Sequence, residues 1–141
     1  NNLFTLFRFN YLMFNFKIKV YYEDTDAGGI VYYANYLKYL ERARTNLIQD
    51  SGFSLCSLSE KYDCHFVVKN IQCNYIKSAK LEDELSIQTK FLEIKKISFE
   101  LEQNIYKDRN IIFKSKVLMV NINSNGKPHM IPDSLITAVN N

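Results

Sequence analysis

An α+β fold, with one helix packed on an antiparallel sheet, is predicted by three features of the sequence. Residues 15–23 alternate apolar and polar, a single helix-length stretch with an apolar face follows, and four β-rich segments separated by short turns make up most of the rest. Strands joined by such turns must pair antiparallel, because a parallel return needs a long crossover.

The first strand runs from Asn15 to Glu23, with Phe16, Ile18, Val20 and Tyr22 on one side and Lys17, Lys19, Tyr21 and Glu23 on the other. Asp24 to Gly29 is a run of turn formers that stops it. From Ile30 to Asp50, Tyr36, Leu40, Ala43 and Leu47 recur at helical spacing, and Gly52 falls where a helix ends. A helical turn is expected at Ser54 to Lys61. Further strands are read at Cys64 to Ile76, Leu85 to Ile94, Ile97 to Tyr106 and Ile111 to Ile122, with turns at Lys107 to Asn110 and Ser124 to Lys127. One helix covers one face of such a sheet, so the other meets solvent or a second subunit, and at least a dimer is expected.

At 141 residues, 47% hydrophobic and 23% charged, the chain has the composition of one globular domain rather than of a disordered segment. Residues 1–12 are read as an extension outside a single domain spanning 13–141. They are rich in Phe and Leu, yet too short to span a bilayer and without a small-residue cleavage site. Eighteen Lys and Arg against fifteen Asp and Glu give +3, dispersed along the chain. That is not the footprint of a nucleic-acid binder, but it suits an anionic small molecule. Cys56, Cys64 and Cys73 form no C-x-x-C pair, so neither a disulfide framework nor a thiolate metal site is expected, and a reducing cytoplasm is.

Chemistry concentrates between Val20 and Tyr39. Here a strand delivers Asp24 and Asp26, Gly28 and Gly29 follow, and a helix begins within a few residues. Free N–H groups at a helix N-terminus can polarise a carbonyl oxygen, and such donors are worth about 3 to 4 kcal/mol each in an oxyanion hole. Asp26 is the carboxylate placed against the carbonyl carbon. On local sequence alone it reads equally well as a turn or capping carboxylate. No histidine lies near the motif. A thiol leaving group, with a pKa of about 8.5, departs as thiolate without a strong general acid, so a thioester is the ester this arrangement can cleave. Asp26 would attack directly or activate water.

The run Tyr-Tyr-Glu-Asp-Thr-Asp-Ala-Gly-Gly-Ile-Val-Tyr from Tyr21 to Tyr32, then Ala-Asn-Tyr-Leu-Lys-Tyr-Leu-Glu-Arg-Ala-Arg from Ala34 to Arg44, resembles the hotdog-fold acyl-CoA thioesterases. The specific branch is that of 4-hydroxybenzoyl-CoA thioesterase and the Tol-Pal-associated YbgC-type enzymes. The likeness continues more weakly through Phe66-Val67-Val68, Tyr75 to Ala79 and Leu81 to Leu85, covering roughly residues 16–122. It implies a long central helix wrapped by a curved antiparallel sheet of about five strands, a homodimer or a homotetramer of paired dimers, and an active site between subunits. It also implies hydrolysis of an acyl-CoA to acid and free coenzyme A without metal or cofactor. The alternative is an acyl-carrier-protein thioesterase or an acyl-carrier-binding scaffold of envelope or phospholipid metabolism.

By that resemblance Asp26 matches the catalytic aspartate. Where Tol-Pal-associated members often carry His, this chain has Tyr33, which suits the other branch, in which the backbone amide at that position polarises the thioester. Gly28, Gly29 and Val31 are the expected thioester contacts. Lys77, with Lys69 and Lys80, is a candidate for the coenzyme A phosphates. Asp24 is read as structural, and Tyr36, Tyr39 and Leu40 as core. Glu41, Arg42 and Arg44 are read as a solvated or interface helix face, and Cys64-His65 as no nucleophilic pair, because strand neighbours point to opposite faces. Ser78 stands where many relatives have Pro.

Overall fold

A computed structural model describes residues 13–140, so the expected extension at 1–12 lies outside the described residues. Five strands, β1 (Phe14–Lys19), β2 (His65–Tyr75), β3 (Glu84–Ile94), β4 (Ser98–Lys107) and β5 (Asn110–Ile122), form one sheet in the order β1-β3-β4-β5-β2. Every pairing is antiparallel. Helix α1 (Asn35–Asp50) carries its apolar stripe of Tyr36, Tyr39, Leu40, Ala43 and Leu47 into the core. There it meets the inward residues of the central strands, among them Leu85, Ile87, Leu101, Ile105, Phe113 and Val117. The outward positions between them, such as Gln88, Glu102, Lys114 and Lys116, are polar, which is the period of two at work.

Two boundaries differ from expectation, and a helix is added at the C-terminal end. The first strand ends at Lys19, because Val20 donates to Asp83 O (2.9 Å) and the chain then turns through a 3-10 segment at Tyr22–Asp24. The helix begins at Asn35 rather than Ile30, since Ile30 and Val31 are held in bridges to Lys80 and Thr25. Helix α1 is also not alone. A second helix, α2 (Leu55–Tyr62), is capped by the Ser54 side chain, which accepts from Ser57 N (3.0 Å), and a third, α3 (Asp133–Val139), follows Pro132 and buries Leu135 and Val139.

On the helix face read as solvated or interface, Glu41 and Arg42 are exposed, and Arg44 departs from the solvated alternative. It lies four residues from Leu40 on the inward-flanking stripe, is half-buried, and donates to Gln103 Oε1 (2.9 Å). Gln103 is fully buried and donates in turn to Leu40 O and Thr89 Oγ1, so a satisfied polar network crosses the helix–sheet interface. Desolvation holds the Arg44 guanidinium below its ordinary pKa.

The turn after α2 is pinned electrostatically. Asp63, in the left-handed region (φ 50°), accepts from Ser124 N and Oγ (3.1 Å each) and faces His65 Nε2 at 3.0 Å. The Ser124 N–H, and then His65, hold its carboxyl below the usual range. A depressed folded-state pKa contributes stability that is complete above the unfolded value of about 3.9 and is lost as pH falls through the folded one. Asp63→Asn keeps the shape and tolerates the same φ. It should therefore melt below the wild type at pH 6, and the gap should close in acid. A gap that does not narrow as the pH is lowered would remove the electrostatic account.

Candidate active site

The loop from Asp24 to Ala34 is built by its own backbone. Asp24 is buried, and its Oδ2 accepts from Tyr21 N (2.9 Å). Its carbonyl accepts twice, from Tyr32 N (3.0 Å) and from the Asn35 side-chain amide (2.8 Å). Asp24 is thus structural in fact. The Tyr39 phenol packs beneath it; burial, and then the Asp24 charge, push its pKa well up, although the two groups make no hydrogen bond of normal geometry.

Asp26 is placed differently. Its N–H donates to Ile30 O (2.9 Å) and its carbonyl accepts from Gly29 N (3.0 Å), which closes a tight turn. The side chain is exposed, with Oδ1 held by Gly28 N (2.8 Å) and, among the described residues, no partner for Oδ2. Because the strand stops at Lys19, Asp24 and Asp26 do not share a strand face. Gly29 sits at φ +76°, where any side chain would be strained, and a Cβ at Gly28 would come within 3.1 Å of Asp26 Oδ1. Both glycines therefore serve to shape the carboxylate's turn.

The loop delivers the chain to the start of α1. The N-cap, Ala34, offers no side-chain hydrogen bond, and the first turn holds no acidic residue. Among the described residues, the N–H groups of Tyr33 and Ala34 have no acceptor, so the positive end of a 16-residue helix is left open. Asn35 N donates to Tyr32 O (2.9 Å), and the Tyr75 hydroxyl of β2 donates to Tyr33 O (2.8 Å). The Tyr33 ring is exposed and meets Tyr75 edge-on at 6.4 Å.

The other expected site residues divide. Val31 is 2% exposed and its N–H is committed to Ala79 O (2.9 Å). Lys77, Lys69 and Lys80 are exposed, and none has an ion-pair partner among the described residues. Cys64 is buried and its thiol is pushed up to about 11 by that burial, while His65 turns to Asp63. No nucleophilic pair exists there. Ser78 lies exposed, and nothing in the structure explains it.

Asp26 stands on an open surface. The well-formed apolar cavity, of about 250 Å³, lies elsewhere along α1, between Leu47, Ile48, Phe66, Val68, Leu101 and Met119. Its nearest α1 residue, Glu41, is about 9 Å along the axis from Asn35 at 1.5 Å per residue. Sequence reasoning gave no role to Asn35, Tyr75 or this cavity. Tyr75 is 42 residues from its partner, a separation that leaves no local pattern to read.

Comparison with known proteins decides the family. The model of the thioesterase-like superfamily matches residues 20–139. The chain belongs to this superfamily. The acyl-CoA thioesterase YbgC of Haemophilus influenzae is 40% identical over 104 residues, covering 74% of this chain and 76% of that one. The acyl-CoA thioester hydrolase YbgC of an Escherichia coli strain is 36% identical over 129 residues, covering 90% and 96%. Among solved structures, a probable thioesterase from Bartonella henselae superposes with a TM-score of 0.83 at 31% identity, over 86% of this chain and all of that one. A 4-hydroxybenzoyl-CoA thioesterase variant complexed with 4-hydroxybenzoyl-CoA has a TM-score of 0.84 at 17% identity, over 90% and 98%, which shows the shared fold. The superfamily's hotdog architecture is thus the one described above, with five antiparallel strands. Among the described residues no helix is long and apolar enough to cross a membrane.

Proposed function

We propose that this superfamily member hydrolyses an acyl-CoA thioester, with Asp26 as the reacting carboxylate and the amides at the start of α1 as the polarising donors. The observation that carries the reading is the half-free carboxylate. One oxygen is anchored by Gly28 N–H, the other is open, and the same loop ends in an uncapped helix N-terminus. The amides would draw charge onto the thioester oxygen as the carbon becomes tetrahedral. The Asp26 oxygen attacks that carbon, the C–S bond breaks, and coenzyme A leaves as thiolate; water then cleaves the mixed anhydride. In the other route Asp26 takes a proton from water, which attacks instead. The exposed Lys69, Lys77 and Lys80 suit the phosphates of coenzyme A or the acidic surface of an acyl carrier protein, and three free thiols suit a reducing, cytoplasmic setting.

The test is release of thiol, followed with a thiol-trapping dye, across acyl-CoAs of graded chain length and aromaticity and the matching acyl-carrier substrates. Release from at least one is expected; none from any ends the reading. Preference between the two carriers separates the enzyme from its acyl-carrier alternative.

The open surface around Asp26 supports a second part of the proposal, that two copies pair along β2. Among the described residues this edge strand bonds to β5 alone, and Val67, Val68 and Tyr75 on it, with Ile76 just beyond, are exposed. A charge at Val68 should split a β2-paired dimer. Val68→Lys is expected to elute as a monomer with most thiol release lost, and a dimer of wild-type activity would show that pairing lies elsewhere.

A further inference from the structure

We propose that Tyr75 is a positioning residue for the polarising amides, its hydroxyl locking the Tyr33–Ala34 peptide group at the mouth of α1. The inference rests on the proposed role of those amides.

A peptide group is planar and trans, so its C=O and N–H point in opposite directions, and a bond that fixes the oxygen aims the hydrogen. Two such groups meet at Tyr33. Asn35 N–H holds Tyr32 O at 2.9 Å and thereby aims the Tyr33 N–H. Tyr75 OH holds Tyr33 O at 2.8 Å and thereby aims the Ala34 N–H. With both planes held, rotation about either Tyr33 backbone bond is stopped, and the two free N–H groups keep a fixed relation to each other.

The second clamp has no substitute within the helix. A regular α-helix would send Leu37 N–H back to Tyr33 O, but that donor goes to Ala34 O (3.2 Å) instead. The open carbonyl is therefore taken by a side chain from another element. Packing places that side chain: the Tyr75 ring meets Tyr36 at 5.4 Å and Phe113 at 5.0 Å, both edge-on. Because Tyr36 is itself in the first turn of α1, ring and hydroxyl grip the helix mouth from the same side. A carbonyl oxygen only accepts, so Tyr75 must be the donor.

Tyr75→Phe removes the hydroxyl and keeps the ring contacts. Tyr33–Ala34 is the only Tyr-Ala pair in the sequence, so carbonyl-13C tyrosine with 15N alanine yields one NMR correlation from this peptide group alone. In Tyr75→Phe that carbonyl resonance should move upfield. With the best acyl-CoA of the panel, kcat should fall about tenfold, the worth of one ordered hydrogen bond, while KM stays within about twofold. A merely structural role would lower the melting temperature without that split. As a second variant, 3,5-difluorotyrosine at position 75 folds with its O–H present but ionises at lower pH, so kcat should fall at the pH where this phenol loses its proton. An unmoved carbonyl resonance, or wild-type kcat in Tyr75→Phe, overturns the proposal while leaving the thioesterase reading intact. A wild type that cleaves no thioester overturns the thioesterase reading, and this one with it.

Discussion

Asp26→Asn is expected to lose thiol release by about 10³-fold or more, the scale seen when a group acting directly on the reacting atoms is removed, with the fold unchanged. The geometry explains why the substitution is clean. An asparagine carbonyl can take the place of Oδ1 and keep the 2.8 Å bond from Gly28 N–H, so the turn survives. The outward atom then becomes an NH2 group, which neither attacks carbon nor accepts a proton from water. Asp26 is exposed, so the melting temperature should match the wild type, a surface change being worth within about 0.5 kcal/mol. Asp24→Asn makes the contrast, since that buried side chain holds Tyr21 N–H and any loss of rate there should come with a loss of stability. Wild-type rates in Asp26→Asn would remove the carboxylate from the mechanism; a collapsed melting temperature would make Asp26 a turn-closing residue.

The strands were legible because their pattern survives burial. Leu85, Ile87, Thr89 and Phe91 alternate inward along β3, and such a period needs no knowledge of the partner strand. Boundaries near Asp26 were not, for a definite reason. Ile30 and Val31 are apolar and adjoin a helical pattern, but their backbone is held by Lys80, Ala79 and Thr25, contacts made across the fold. Arg44 misled in the same way: its charge argues for solvent, whereas its position beside Leu40 and Leu47, and the side-chain oxygen of Gln103 from β4, decide otherwise. Asp24 and Asp26 lie two residues apart and were told apart in the sequence by the family resemblance; the structure turns one into the core and the other out of it. The motif marked a carboxylate and a helix following it, though not the residue at which that helix starts. It could not supply Tyr75, whose relation to Tyr33 exists only after β2 has paired with β5 and the Tyr36–Phe113 stack has formed.

That stack carries the other large expectation: Phe113→Ala should cost about 3–5 kcal/mol of stability, the usual range for a buried aromatic ring truncated in a core. Phe113 is fully buried in β5 and lies flat against Tyr36 (5.4 Å between centroids, 3° between planes), with the Tyr75 ring on its edge at 5.0 Å. Tyr36 accepts from Ala79 N (2.9 Å), which ties the loop before β3 to the first turn of α1. One ring therefore backs the helix mouth, the edge strand and that loop together, and its removal leaves a cavity under all three. Thermal melting should show the loss, and at temperatures where the variant is still folded kcat should fall as well, because Tyr75 loses the surface that sets its hydroxyl. Phe113→Leu separates the two effects. It refills much of the volume and should recover most of the stability, but it offers no flat face to Tyr36, so the rate should recover less than the melting temperature. Equal recovery of both would mean that the ring serves the core alone and that the position of Tyr75 does not depend on it.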